Sequence, residues 1–275
     1  EAPDGDGFDP DLVFSQESGW LWLAQADDAG IHIALSKDEG GSWETLGSGM
    51  AGAEEHQWFN LSTTFHDPVT GHPLVYGAFP DLEAGDDDRV ALAFLGTTNP
   101  DAEEPFSPEA PNSVCSDESD GNIWHYYLSQ SFDGGATWTT SRLWEDPVQI
   151  GAIWNGGGGQ DCRNLLDFND MDMDSQGRLH IALADGCTKQ CAASYFAWAN
   201  GTGEPPKGED SRDSWGVILR QATGKGLFAQ YDVPDESIMP TPTTSDEPGQ
   251  AVPGLPVVAV VAALALVVVV LRRKA

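Results

Sequence analysis

The stretch Ser131–Trp138, which reads SFDGGATW, decides the fold, and Ser36–Trp43 repeats it as SKDEGGSW. Both copies follow one template: Ser, any residue, Asp, any residue, Gly, any residue, Ser or Thr, and Trp. In a tight turn, Asp accepts hydrogen bonds from nearby backbone N–H groups, Gly permits a positive φ, and Trp covers the turn with an apolar face. Each copy follows an apolar run typical of a strand, so the template predicts a hairpin turn between two strands.

This template resembles the Asp-box, or BNR, repeat of sialidase-like β-propellers. The resemblance implies an all-β propeller in which these turns lie on the outer rim, away from the active site, and staple the blades. It therefore marks a fold and leaves the reaction open. The residues to which it assigns this structural role are Ser36, Asp38, Gly40, Trp43, Ser131, Asp133, Gly135 and Trp138.

The composition predicts many short strands. The 275 residues include 31 Gly, 18 Pro and 10 Trp, which is typical of strands joined by tight turns. Residues 1–231 divide into three blade-like units, and no helix is expected before residue 255. The run Ser194–Asn200 (SYFAWAN) is predicted to be a strand. Because propellers typically have about four to eight blades, we expect this chain to be the C-terminal part of a ring of about six or seven.

The charge of the chain restricts its partners. The formal net charge is −31, from 44 Asp and Glu against 13 Lys and Arg. A field of this sign repels nucleic acid and anionic membrane surfaces, so nucleic-acid binding is excluded as a function class.

The C-terminal region predicts a membrane anchor. Residues 232–254 are rich in Pro, Thr and acidic residues and are predicted to form an extended stalk. Residues 255–271 are uncharged and apolar, which predicts a transmembrane helix. The basic tail 272–275 predicts a cytoplasmic C-terminus and an N-terminal domain outside the cell. The sequence PGLP, the apolar run and RRK resemble an archaeal Pro-Gly-Phe-type sorting signal, with Leu255 at the Phe position; this resemblance implies processing and a lipid anchor.

The cysteines and glycosylation sequons fit an exported protein. Four cysteines are present, and an even number predicts disulfides. Cys187 and Cys191 are close enough in sequence to pair locally, which leaves Cys115 with Cys162; a metal site is the alternative. The triplets that begin at Asn60 and Asn200 are possible N-glycosylation sites.

The segment from Cys162 to Gly186 contains the most unusual polar pattern. Asp170, Asp172 and Asp174 alternate with methionines, so a strand would place the three carboxylates on one face. Like charges so close repel one another unless a cation lies between them, and Ca²⁺ prefers such oxygen ligands. A solvated strand edge, a Ca²⁺ site and the wall of an active site all remain open. For that wall the candidate catalytic residues are Arg163, Asp167 and Asp170.

The Asp-box resemblance also implies what a sialidase would need: three arginines on the substrate carboxylate, a Tyr–Glu pair and an acidic proton donor. None of these sets is assignable, and the sequence has no HExxH motif, nucleophile elbow or phosphate-binding loop. Two hypotheses follow. The first is a surface module that recognises a glycan or a protein, and the alternative is a sialidase-like glycoside hydrolase.

Overall fold

The structure is a computed structural model, and it describes residues 8–27, 30–51, 63–99, 122–151, 169–206 and 215–232. Their regular secondary structure is almost entirely β. The strands are β1 Phe8–Phe14, β2 Leu21–Asp27, β3 Gly30–Ser36, β4 Glu44–Ser48, β5 Tyr76–Ala84, β6 Val90–Thr97, β7 Ile123–Ser131, β8 Thr139–Arg142, β9 Gln149–Ile150, β10 Asp170–Met173, β11 Leu179–Asp185 and β12 Trp215–Arg220. The helix α1 spans Gln190–Ala199, and a short 3₁₀ turn spans Ala229–Tyr231.

The strands form three antiparallel sheets in chain order. Sheet I contains β1 to β4, sheet II contains β5 to β8 with β9 paired to β7, and sheet III contains β10 to β12. Each sheet is a meander in which sequence neighbours pair, as the strand–turn–strand pattern predicts. The predicted all-β class is therefore confirmed, and the described strands form three sheets.

The sheets stack face to face, and the hydrophobic core lies in two layers between them. The layer between sheets I and II includes the fully buried Trp22, Ile33, Leu82 and Phe94. The layer between sheets II and III includes Trp124, Tyr126, Leu128, Met171 and Ile181. Sheet II is thus covered on both faces, which explains why β6 is buried along its whole length.

The strand predicted at Ser194–Asn200 is wrong, because these residues belong to α1 and its C-terminal cap. The expectation of no helix before residue 255 is wrong for the same reason. The run contains several alanines, the best helix formers, and its apolar residues do not alternate with polar ones. A disulfide between Cys187 and Cys191, both fully buried, lies at the start of the helix.

Two loops are closed by hydrogen bonds of their own side chains. Before β5, the turn after Asp67 closes with a single bridge between His66 and Pro73, because the Asp67 carboxylate accepts hydrogen bonds from Val69 N and Thr70 Oγ1. Strand β12 ends at Arg220, and the chain leaves the sheet at Gln221. There the Gln221 side chain donates to Lys225 O over 2.7 Å and closes a loop.

Candidate functional site

The first Asp-box turn joins β3 to β4 and is closed by its own side chains. Ser36 Oγ donates to Asp38 Oδ1 over 2.9 Å and accepts a hydrogen bond from Gly40 N over 2.9 Å. Asp38 accepts two further hydrogen bonds from Ser42, one from the backbone N and one from Oγ, each over 2.7 Å. The hydrogen bonds from Ser42 and Ser36 hold the pKa of Asp38 below its usual value.

The second Asp-box turn joins β7 to β8 with the same contacts. Ser131 Oγ donates to Asp133 Oδ1 and accepts from Gly135 N, each over 2.9 Å, and Thr137 N donates to Asp133 Oδ1 over 2.8 Å. Trp138 is buried, and its Nε1 donates to Gly135 O over 3.0 Å. Burial opposes ionisation of Asp133, but the hydrogen bonds from Thr137 and Ser131 outweigh it and lower its pKa. Both Asp-box carboxylates are therefore engaged within their own turns.

A different set of carboxylates lies on β1, β5 and β10, the first strands of the three sheets. Strand β5 packs beside both β1 and β10. Asp11 on β1 accepts a hydrogen bond from Leu82 N of β5 over 2.6 Å. Asp81 on β5 accepts one from the backbone N–H of Met171 on β10. Each aspartate thus ties its strand to the next sheet, and the three strands form one acidic wall.

A cavity of about 280 Å³ opens on this wall. Its lining consists of Pro10, Asp11, Phe79, Pro80, Asp81, Asn169 and Asp170. The pairing of β1 shifts register just before Asp11, and that of β5 just before Asp81. Pro10 and Pro80 lie in these two bulges, where a residue without an N–H is tolerated. Phe79 has φ 51°, a strained conformation for a bulky residue and one that is frequent at functional sites.

Two carboxyls of the wall have strongly raised pKa values. Burial raises the pKa of Asp81 to about 7, and the negative charges of Asp11 and Asp170 add to the effect. Burial likewise raises the pKa of Glu83 to about 7, with further contributions from Asp172 and Asp11. At neutral pH each of these carboxyls holds its proton for about half of the time. The wall can therefore both donate and accept hydrogen bonds.

Asn169 fixes the geometry of the pocket beside these carboxyls. Its Nδ2 donates to Phe79 O over 3.2 Å and so joins the start of sheet III to the strained residue of β5. Behind the wall, burial and the nearby charge of Asp81 raise the pKa of Tyr126, whose ring is almost completely buried. The phenol thus remains neutral and forms part of the rigid support of the pocket.

Asp170, Asp172 and Asp174, which alternate with methionines in the sequence, do not all lie on one strand face. Asp170 and Asp172 are exposed on one face of β10, as the strand pattern predicts. Asp174 lies in the following turn, where its Oδ1 accepts from Gln176 N over 2.9 Å and from Arg178 N over 3.0 Å. Within the described ranges, no three His, Cys, Asp or Glu side chains are grouped so that they could hold a metal ion. The predicted three-carboxylate face therefore reduces to two.

Two of the described arginines, Arg142 and Arg89, form ion pairs within the fold. Arg142 Nη2 is 2.9 Å from Asp67 Oδ2, and both side chains are almost fully buried. His125 lies 3.1 Å from Arg142 Nη1, and burial together with the Arg142 charge lowers its pKa to about 3. Arg89 Nη2 is 2.8 Å from Asp232 Oδ2. The guanidinium groups of Arg142 and Arg89 are therefore engaged in ion pairs within the fold.

Sequence reasoning missed Asp11, Asp81 and Glu83. A weak internal repeat at the start of each sheet could have drawn attention to the two aspartates, whereas no sequence pattern marks Glu83. The three copies of the repeat are PDL at residues 10–12, PDL at residues 80–82 and NDM at residues 169–171. The repeat places an aspartate at the same point of each first strand.

Other predicted sites lie partly outside the described residues. Those outside are Arg163, Asp167, Asn60, the pair Cys115 and Cys162, and the stalk, apolar run and tail after residue 232. Asn200 is exposed at the end of α1, where its Nδ2 donates to Phe196 O over 2.7 Å. None of the helices in the described ranges is long and apolar enough to span a bilayer.

No family model matches the sequence, and no curated protein matches it. Among solved structures, the chain is similar to a thermostable family-43 glycoside hydrolase, with 12% identity over 80% of this chain and 51% of that chain and a TM-score of 0.37. It is also similar to a protein of unknown function from Dyadobacter fermentans DSM 18053, with 16% identity, 80% and 52% coverage and a TM-score of 0.38. A mutant of NanB sialidase from Streptococcus pneumoniae matches with 11% identity, 76% and 20% coverage and a TM-score of 0.32. The chain thus spans about half or less of these structures, and likenesses this distant decide neither its fold nor its function.

Proposed function

We propose that the protein is a surface module that recognises a neutral glycan in the pocket between β1, β5 and β10. The observation that carries the proposal is the cavity lined by Asp11, Asp81 and Asp170. The raised pKa of about 7 leaves Asp81 partly protonated there, and Glu83, two residues further along β5, has a similarly raised pKa. Sugar hydroxyls both donate and accept hydrogen bonds. A protonated carboxyl donates and a carboxylate accepts, so this wall complements a row of hydroxyls.

The charge of the pocket argues for a neutral ligand. No Lys, Arg or His of the described ranges lines the cavity, whereas Asp11, Asp81 and Asp170 do. An acidic sugar such as sialic acid would meet like charges there and no guanidinium to pair with. A protein ligand is the alternative partner.

In this proposal the three sheets are blades of a sialidase-like β-propeller, and the acidic wall faces its central channel. The arrangement is supported by the meander order of each sheet and by the Asp-box turns at the same place in sheets I and II. First strands that lie side by side, each carrying an aspartate, are what neighbouring blades present to a channel.

Hydrolysis of the glycan is the second candidate function, and the same raised pKa values favour it. A glycoside hydrolase uses one protonated carboxyl to protonate the leaving oxygen and a second carboxylate to act on the sugar or on water. A general acid works best when its pKa lies near the operating pH, and Asp81 and Glu83 meet this condition at neutral pH.

A panel of neutral and acidic glycans tests both candidates. Binding and the release of reducing sugar are measured for the wild type, Asp81→Asn and Glu83→Gln, with Glu44→Gln, an exposed site on β4, as the control. We expect neutral glycans to bind the wild type and the control and to bind the two wall variants at least tenfold more weakly. Release of sugar that is lost in the wall variants would establish hydrolysis. No binding of any neutral glycan would overturn the proposal.

The surface location is part of the proposal and rests on the sequence of residues 255–275. An apolar run followed by Arg272, Arg273 and Lys274 would anchor the chain with its C-terminus in the cytoplasm. The full chain is expected in the membrane fraction after an alkaline wash, and a chain ending at residue 254 in the soluble fraction. Recovery of the full chain in the soluble fraction would contradict the anchor.

Bound calcium is also proposed, at Asp170 and Asp172 with further oxygen ligands. These two carboxylates lie on one face of β10, and Asp172 raises the pKa of Glu83 across the wall. A divalent cation there would relieve the repulsion, so we expect calcium to raise the thermal midpoint and a chelator to lower it. An unchanged midpoint would rule out the site.

A further inference from the structure

Helix α1 ends in a segment that is both uncharged and exposed. The stretch from Gln190 to Gly203 includes no Asp, Glu, Lys or Arg, although the formal net charge of the chain is −31. Trp198, in the last turn of the helix, is 38% exposed, and the residues from Asn200 to Pro205 are all exposed. None of these residues lines the cavity on the acidic wall. An exposed aromatic ring in such a segment indicates a contact that the acidic wall does not make.

The Trp198 ring is supported from one side by the fold. Its centroid lies 6.1 Å from that of Tyr195 on the same helix, and the Tyr195 ring lies 5.8 Å from that of His125 near the start of β7. Tyr195 also packs against the buried disulfide between Cys187 and Cys191. The indole is therefore held in place, although more than a third of it remains in contact with water.

A tight turn joins Trp198 to an N-glycosylation sequon, which consists of Asn200, Gly201 and Thr202. Gly201 N donates to Trp198 O over 2.8 Å, and Gly201 has φ 69°. Asn200 has φ −89° and ψ 6°, the conformation of the third residue of a type I turn. The turn therefore holds the amide that accepts a glycan two residues from the exposed indole.

The hydrogen bonds of this turn are compatible with a sugar on Asn200. Its Nδ2 carries two hydrogens, and one of them donates to Phe196 O over 2.7 Å. A sugar replaces the other hydrogen, so the bond to Phe196 persists. Thr202 Oγ1 donates to Ala197 O over 3.0 Å and holds the end of the sequon on the same helix. A Cβ built on Gly201 would meet no atom of the described residues within 4 Å, so a bulky group fits outside the turn.

We propose that Asn200 carries an N-linked glycan and that the first sugar of this glycan packs on the exposed side of Trp198. The donor is an oligosaccharide linked to a polyprenyl phosphate, used by a membrane-bound transferase. Asn200 Nδ2 attacks the anomeric carbon of the donor, so that an N–C bond forms and the C–O bond to the phosphate breaks. The polyprenyl phosphate leaves with the electron pair, and the amide proton passes to a base of the transferase.

The chemistry of the two groups favours the contact. The C–H groups on one side of a sugar ring form an apolar surface that matches the face of an indole. A sugar attached two residues away is already close to the ring, so little translational freedom is lost when the two groups pack. No charge between Gln190 and Gly203 opposes the burial. The proposal rests on the location of the domain outside the cell and is independent of ligand binding at the acidic wall.

Expression of one chain in two hosts tests the modification. Asn60→Gln leaves Asn200 as the only sequon of the sequence. This parent chain is directed into a secretory pathway that N-glycosylates and is also produced in a host that does not. Peptide mass mapping is expected to find a glycan on Asn200 only in the secreted chain. Thr202→Ser should retain the glycan and Thr202→Ala should lose it. An unmodified Asn200 in the secreted parent chain would overturn the proposal, whatever the location of the protein in its own cell.

Thermal unfolding of the two preparations, each purified in mild detergent, tests the contact with Trp198. The glycosylated parent chain is expected to unfold at a midpoint about 2–4 °C higher, the size of shift that one aromatic contact gives in a domain of this length. In Trp198→Ala the difference between the two preparations should disappear. In Tyr231→Ala, which removes another exposed aromatic ring, it should persist. An equal difference in the parent chain and in Trp198→Ala would overturn the contact.

Discussion

The Asp-box turns and the acidic wall contain carboxylates in opposite environments. Asp38 and Asp133 accept hydrogen bonds from serine, threonine and backbone donors of their own turns, and their pKa values are lowered. Asp81 and Glu83 are more buried, lie beside other carboxylates, and have pKa values raised to about 7. A carboxylate in an Asp-box turn stabilises that turn when it is ionised, whereas an ionised carboxylate in the acidic wall opposes folding.

The difference separates a structural role from a functional one. The carboxylates of Asp38 and Asp133 accept hydrogen bonds from donors of their own turns. These groups are therefore not available to bind a ligand. The fold holds the carboxyl groups of the acidic wall close together although their negative charges repel one another. Such arrangements are concentrated at binding and catalytic sites. The more recognisable motif is therefore the less informative about function.

The largest expected change in stability comes from Asp67, whose carboxylate forms a buried ion pair with Arg142. Asp67→Ala leaves the almost fully buried Arg142 guanidinium without its ion pair, which is expected to lower the free energy of unfolding by about 3–5 kcal/mol. Chemical denaturation measures the loss. The double variant Asp67→Ala/Arg142→Met removes the stranded charge and should lose less than the sum of the single variants. A loss under about 1 kcal/mol in Asp67→Ala would show that the pair is not buried in solution.

The second prediction concerns the stability contributed by the Asp-box turns. Asp133→Ala removes the acceptor for Thr137 N and Ser131 Oγ, and because the site is exposed we expect a loss of about 1–2 kcal/mol in the free energy of unfolding. Asp38→Ala removes the same contacts in the first turn and should change stability in the same direction. Glycan binding should stay unchanged in both. Weaker glycan binding by either variant would mean that the Asp-box turns contribute to the glycan site.

The third prediction concerns the acidic wall, where removal of a carboxylate is expected to raise the free energy of unfolding. Glu83 has a folded pKa of about 7, above its usual value of 4.5, so the folded state binds more protons than the unfolded state between these pH values. Its contribution to stability is present below about pH 4.5 and is lost as the pH rises to about 7. Glu83→Gln is therefore expected to be about 1–2 kcal/mol more stable than the wild type at pH 8, after allowance for solvent screening.

The control for this prediction is the same pair of proteins at about pH 4.5, where the stabilisation by Glu83→Gln should disappear. Denaturant titrations at the two pH values measure the difference. Equal stability of the two proteins at pH 8 would remove the basis for a strained wall.

The smallest expected change in stability comes from a backbone difference between the two Asp-box turns. Glu39 has φ 58°, and Gly134 occupies the same position of the second turn with φ 71°. A left-handed backbone is unfavourable for Glu and neutral for Gly, so Glu39→Gly is expected to raise the free energy of unfolding by about 0.5 kcal/mol. Gly134→Glu is expected to lower it by a similar amount. A stabilising Gly134→Glu would mean that the two turns differ in backbone conformation.

Much of the fold could be predicted from the sequence because its signals are local. The alternation of apolar residues gave most strands, and the Asp-box template gave the turns at Asp38 and Asp133, whose contacts all lie within a few residues. The helix α1 was missed because its aromatic residues resemble those of a strand and only the buried Cys191 fixes its inner side.

The site could be predicted only in part, because it joins residues far apart in the chain. Asp170 and Asp172 were found from their alternation on β10. Asp81 and Glu83 were missed, because their raised pKa values come from burial and from neighbours on other sheets, which no local pattern records. Asp174 was grouped wrongly, because the turn that engages it depends on the backbone of Arg178.

The most direct measurement is a carboxyl ¹³C NMR titration that follows Glu83 and Asp133 in one sample. The account predicts that Glu83 titrates with a pKa of about 7, and that Asp133 titrates below its usual value of 3.8. The Glu83→Gln variant assigns the Glu83 signal. A Glu83 pKa near 4.5 would contradict the central claim, because the acidic wall would then be an ordinary solvated surface.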